Sequence, residues 1–109
     1  ILAHANVVSR LPLTTLKIHQ LQLIKGTVMA RQHREHPEWF DLFEVDDYID
    51  LCIDFAERLN PDFIIERFIS QSPKQLLIAP DWGLKNFEFT VKVLKRFAER
   101  ETYQGRLFR

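Results

Sequence analysis

The segment TTLKIHQLQLI at residues 14–24 is dominated by apolar and β-branched side chains, with Pro12 before it and Gly26 and Thr27 after it. Such a run reads as a β-strand. With a period of two, Leu16, Ile18, Gln20, Gln22 and Ile24 share one face and Lys17, His19, Leu21 and Leu23 the other. Neither face is wholly polar, so the strand belongs in a sheet covered on both sides. That is the habit of parallel α/β architecture.

The flanking sequence supplies the layers. Residues 1–11 place Leu2, Ala5, Val8 and Ser9 near one helical face, and Pro12 ends that helix because it has no N–H to donate. Residues 28–34 form a short helix before Pro37, and Trp39, Phe40, Leu42 and Phe43 make an aromatic-rich loop. Asp46 and Asp47 suit the first turn of a longer helix, where acidic groups complement the positive end of the dipole. Along that helix Ile49, Cys52, Ile53, Ala56 and Leu59 form one stripe, and Asn60 and Pro61 stop it. Residues 62–70, DFIIERFIS, are a second strand. Strand, helix, strand at this separation demands parallel pairing through a right-handed crossover. Residues 76–79 add a short extended piece, residues 80–83 a turn, and residues 86–101 a last helix with Phe87, Val91, Leu94, Phe97 and Ala98 as its apolar face. The result is an α/β fold with two parallel strands and three to four helices, too little sheet for a complete barrel or doubly wound domain.

A chain of 109 residues forms one ordinary domain. Fifteen basic and fifteen acidic residues balance to zero, so charge does not indicate a nucleic-acid partner. No apolar run approaches the ~20 residues needed to cross a bilayer, so no membrane role is expected and the chain reads as soluble and cytoplasmic. The single cysteine, Cys52, excludes an internal disulfide and cannot hold an iron–sulfur cluster alone. Because the chain opens on Ile1 in the middle of a helical pattern, it is expected to be an excised piece of a longer protein.

Three polar residues interrupt the first strand. A buried amide or imidazole left unpaired costs about 1–3 kcal/mol, so His19, Gln20 and Gln22 are satisfied either by the fold or by a ligand. They lie toward the C-terminal end of the strand, where α/β sheets place ligands. Glu66 and Arg67 sit late in the second strand and point to opposite faces, each expected to pair with a helix residue. His33 and His36 have helical metal-ligand spacing but lack a third nearby ligand. Cys52 lies on an apolar stripe and reads as a small hydrophobe. Lys92, Lys95, Arg96 and Arg100, with Glu99 and Glu101, read as a solvated helix face. Neither a phosphate loop nor a nucleophilic triad is visible by spacing.

The stretches LPLTTLKIHQLQLIKGTVMA and EVDDYIDLCIDFAERLNPDFIIERFISQSPKQLLIAPDWGLKNFEF strongly resemble the C-terminal part of YhcC-type bacterial radical SAM proteins. These are relatives of oxygen-independent coproporphyrinogen oxidase and of the Elongator catalytic subunit. The most specific matches are HQLQLIKGT, ERFISQSP and APDWGLKNFEFT. The resemblance implies a partial (β/α) barrel in which a CxxxCxxC motif binds a [4Fe–4S] cluster, and the cluster chelates S-adenosylmethionine and cleaves it to a 5′-deoxyadenosyl radical. This chain has no CxxxCxxC, so the fragment alone is expected to be inactive and to hold neither cofactor.

By the same resemblance, residues 1–80 are the last βαβ part of the barrel and residues 81–109 a C-terminal helical extension. His19, Gln20 and Gln22 are the implied S-adenosylmethionine contacts, and Arg67, Ser70 and Gln71 the substrate-side candidates. The implied partner is the missing N-terminal part of the same polypeptide, with self-association through exposed sheet edges as a consequence of its absence. A rival reading makes the chain a non-catalytic protein–protein interaction module anchored by the aromatic loop at residues 39–43 and by Trp82.

Overall fold

Thr27 shows how locally the chain is built. Its hydroxyl accepts from Ala30 N at 3.1 Å, capping a helix, and donates to the Ile24 carbonyl at 2.8 Å. The computed structural model describes residues 2–20, 22–40, 42–70 and 72–108. Among the described residues four helices run through Leu2–Ser9 (α1), Val28–Glu35 (α2), Val45–Glu57 (α3) and Asn86–Glu99 (α4), with one 3₁₀ turn at Pro37–Trp39. Strands occupy Thr15–Lys17 (β1), Leu23–Ile24 (β2), Ile64–Arg67 (β3) and Leu77–Ala79 (β4).

The expected parallel pair is present: β1 lies beside β3, with Thr15 opposite Ile64 and Leu16 opposite Ile65. The first strand, however, is not continuous over residues 14–24. Its backbone ladder ends where Ile18 N donates to the Arg67 carbonyl at 2.9 Å. The chain returns to strand geometry at β2, which pairs antiparallel with β4 in a separate two-stranded sheet. The physical cause is at Gln20 and Gln22, whose side chains replace the backbone in holding Ser70 and Ser72.

Coverage of the parallel pair is one-sided. Ile65 packs on the core made by Ile49, Cys52, Ile53, Phe68, Ile69, Phe89 and Val93, whereas Thr15, Lys17, Ile64 and Glu66 are exposed. Glu66 therefore pairs with Lys17 of the neighbouring strand at 3.7 Å and not with a helix. The stripe on α3 is buried as its spacing predicts, and α1 docks through Ala5 and Ser9, the Ser9 hydroxyl accepting from Asn60 N at 2.9 Å.

The last helix is rotated from its expected setting. Phe89 and Val93 are fully buried and Phe97 packs against the core, while Phe87, Val91 and Leu94 are 66%, 62% and 60% exposed. Ion pairs fix that rotation. Arg96 Nε meets Asp50 Oδ1 at 2.9 Å and Arg100 Nη2 meets Asp54 Oδ1 at 2.7 Å, so two of the four basic residues expected on a solvated face clamp α4 to α3, while Lys92 and Lys95 are exposed. Asp50, Asp54 and Glu57 recur at i, i+4 and i+7, opposite Arg96 and Arg100 at i and i+4. Beyond α4, residues 102–108 fold back as a strap. Leu107 N donates to the Glu57 carbonyl at 2.7 Å, Gly105 N to that of Ala56 at 2.9 Å, and Gln104 Nε2 to that of Phe63 at 2.8 Å.

Candidate functional site

At the carboxyl ends of β1 and β3 two carboxamides join the strands. Gln20 Nε2 donates to the Ser70 carbonyl at 3.1 Å and Gln20 Oε1 accepts from Ser70 N at 3.0 Å, a two-bond grip that mimics a sheet ladder. Gln22 Nε2 donates to the same carbonyl at 3.2 Å, and its Oε1 accepts from the Ser72 hydroxyl at 2.8 Å. A primary amide offers two N–H donors and two lone pairs. Each glutamine thus keeps one donor and one acceptor beyond those engaged among the described residues.

Two concavities meet at Gln20. One, about 330 Å³, is chiefly apolar and is walled by Ile18, Phe43, Tyr48, Cys52, Phe55 and Trp82. The other is an open trough bordered by His19, Gln20, Gln22, Ile24 and Ser70. The apolar wall is rigid: Tyr48 donates to the Phe68 carbonyl at 2.8 Å, and its ring lies 5.2 Å from Trp82 and 5.8 Å from Phe89. Trp82 Nε1 donates to the Phe43 carbonyl at 3.3 Å, tying the aromatic loop to the turn before α4. Burial raises the Tyr48 phenol far above its ordinary value, so it stays neutral. Burial also pushes the Cys52 thiol up to about 12, which leaves it protonated and unreactive at neutral pH.

The structure gathers four of the six sequence-derived candidates. His19, Gln20, Gln22 and Ser70 border the trough, with Gln20 buried and the His19 ring exposed. Arg67 is half-buried at the end of β3; it lines neither concavity, and its side chain has no ion-pair partner among the described residues. Gln71 lies outside the described residues. Tyr48, Leu51 and Phe55 on the apolar wall were not anticipated, yet their i, i+3 and i+7 spacing marks a second stripe beside the one read from the sequence. Of the aromatic anchors, Trp39 is exposed and stacked on His36 at 4.0 Å, whereas Trp82 packs against the core.

Residues 13–99 match the radical SAM C-terminal domain. The chain belongs to that family. As a radical SAM C-terminal domain it is 33% identical over 104 residues to the uncharacterized protein YtqA of Bacillus subtilis (strain 168), covering 95% of this chain and 32% of YtqA. It is 30% identical over 105 residues to the uncharacterized protein MJ0486 of Methanocaldococcus jannaschii, with the same shares covered. The chain therefore spans about a third of the length of the curated relatives it matches. No solved structure matches it significantly.

The family implies S-adenosylmethionine and a [4Fe–4S] cluster in full-length members. The cluster does not fit this chain: Cys52 is its single cysteine and is buried in apolar packing, and no group of three metal-ligating side chains occurs among the described residues. The strand ends do suit a nucleoside, with unused amide valences beside an apolar cavity. No described helix is long and apolar enough to cross a membrane.

Proposed function

We propose that this domain completes the pocket of a YhcC-type, cytoplasmic radical SAM iron–sulfur enzyme. The observation that carries the reading is the pair of carboxamides locked to Ser70 and Ser72 at the strand ends, each with hydrogen-bonding capacity to spare. Bound to the cluster of the complete enzyme, S-adenosylmethionine would supply the radical chemistry of the family. Here Gln20 and Gln22 would hold the purine edge of that cofactor, His19 would flank it, and the apolar wall from Ile18 to Trp82 would exclude water. Arg67 and Ser70 stand on the substrate side. The remainder of the polypeptide supplies the cluster ligands and covers the exposed face of β1 and β3, so the isolated domain is inactive.

The test is anaerobic reconstitution of the full-length protein. Release of 5′-deoxyadenosine is expected, and Gln22→Leu, which spares the Gln20 grip, is expected to weaken S-adenosylmethionine binding about tenfold by removing two hydrogen-bonding groups. A fully loaded protein that releases no 5′-deoxyadenosine overturns the radical reading. Unchanged cofactor affinity in Gln22→Leu removes the glutamine assignment.

A further inference from the structure

On the side of Gln20 and Gln22 facing β4 and α4 lies a third concavity, about 250 Å³, that the cofactor reading leaves unused. Its polar wall is made by Ser70, Ser72, Lys74 and Lys85 together with the two glutamines and Asp81. Neither lysine has an ion-pair partner among the described residues, so both charges are free to meet an anion. The donors available there can be counted. Ser72 gives its proton to Gln22 Oε1, but the Ser70 hydroxyl is unengaged among the described residues, and each glutamine retains one N–H. The wall therefore offers two ammonium groups and one hydroxyl, the spare amide N–H groups being those assigned above to the purine. Its one carboxylate, Asp81, has Oδ1 held by Gly83 N at 3.1 Å. Net charge at the wall is one positive, which suits a single anionic group and disfavours a polyanion.

We propose that this groove is the substrate's anchoring subsite and takes one phosphate or carboxylate group, held by Lys74 and Lys85. The inference rests on the cofactor reading for its word "substrate" and on the groove alone for its chemistry. Gln20 borders both this groove and the apolar cavity, so an anion bound here keeps the rest of its molecule beside the place assigned to the cofactor. The substrate class that follows is a small molecule or residue bearing one terminal acid.

The experiment uses the full-length protein and titration calorimetry with inorganic phosphate and, separately, acetate. The arm that binds more tightly identifies the group. Lys74→Ala and Lys85→Ala are each expected to weaken that arm roughly tenfold, the scale of losing one charge-assisted hydrogen bond. Asp81→Asn, which keeps the turn acceptor, is expected to strengthen it severalfold. A control variant, Lys25→Ala with Arg31→Ala and Arg34→Ala, removes cations from the separate groove beside α2. Loss of binding in that control but not in the Lys74 and Lys85 variants overturns the proposal, as does equal binding in all forms. If those variants lose S-adenosylmethionine affinity instead, the groove serves the cofactor and the substrate assignment fails. If no form releases 5′-deoxyadenosine while anion binding still depends on the lysines, the radical reading fails and the anion site stands.

Discussion

Glu57 is the point at which the chain's C-terminal strap can be detached by one atom. Its carboxylate, 3% exposed, accepts from Thr102 Oγ1 at 2.5 Å, from Arg106 Nη2 at 2.7 Å and Nε at 3.0 Å, and from Arg100 Nη2 at 3.3 Å. Glu57→Gln keeps the shape but removes the charge and turns one acceptor oxygen into a donor facing other donors. Converting charge-assisted bonds to neutral ones costs about 1 kcal/mol each. The Arg106 side chain is 44% exposed and regains water when released, so the net loss is discounted to about 2 kcal/mol. That corresponds to roughly a thirtyfold rise in strap opening. Amide hydrogen exchange reads it directly, because Gly105 N and Leu107 N bond the Ala56 and Glu57 carbonyls only while the strap is docked. Acid should act in the same direction. Burial by itself raises the Glu57 pKa, but the bonds from Thr102 and Arg106 and the charges of Arg106 and Arg100 outweigh it and hold the group below its ordinary 4.5. A depressed folded-state pKa gives stability that is present above pH 4.5 and lost as pH falls through the lowered value, so protection should drop there in the native protein and not in Glu57→Gln. Equal protection in both proteins at neutral pH would refute the reasoning and leave the strap held by its backbone bonds alone.

Three further outcomes follow from the same geometry. Gly105 has φ +85° and a Cβ built there would lie 2.8 Å from the Pro61 ring, so Gly105→Ala should destabilise the strap by about 1–3 kcal/mol, seen as faster exchange at Leu107. Gln20→Leu should cost about 2–4 kcal/mol by leaving both Ser70 N and one bond to its carbonyl unpaired, measured as a lower denaturation midpoint; a change under 0.5 kcal/mol would show that water replaces the amide. The 109-residue chain by itself should self-associate, since the two-stranded sheets have free edges and Phe87, Val91 and Leu94 form an uncovered stripe on α4. Light scattering that finds a pure monomer at micromolar concentration would contradict this.

What could be read from the sequence divides along a physical line. Periodicity located α3 because its stripe packs on one core, and the parallel pair followed from the length of the connection between its two strands. It misplaced the buried face of α4 because Phe87, Val91, Leu94 and Ala98 are as regularly spaced as Phe89, Val93 and Phe97. Hydrophobic spacing alone cannot choose between two such stripes. The choice was made by charge, through Asp50 and Asp54 of α3 meeting Arg96 and Arg100, a pairing between elements that was present in the spacing but went unread.

The glutamines carry the same lesson into the site. His19, Gln20 and Gln22 stood out as polar groups on an apolar strand, and the choice was between satisfaction by the fold and contact with a ligand. The geometry makes these compatible for the two amides. Each uses one donor and one acceptor on Ser70 or Ser72, which fixes its orientation without exhausting it. An amide already held by backbone loses little freedom when a ligand takes its remaining valences, which is the condition for a preorganised contact. The same engagement breaks the predicted strand in two, since Gln20 and Gln22 bond Ser70 and Ser72 through side chains where a sheet would bond through backbone. The irregularity and the candidate site are therefore one feature of this domain, and a substitution that restored regular strand pairing at Gln20 should remove the contact proposed for it.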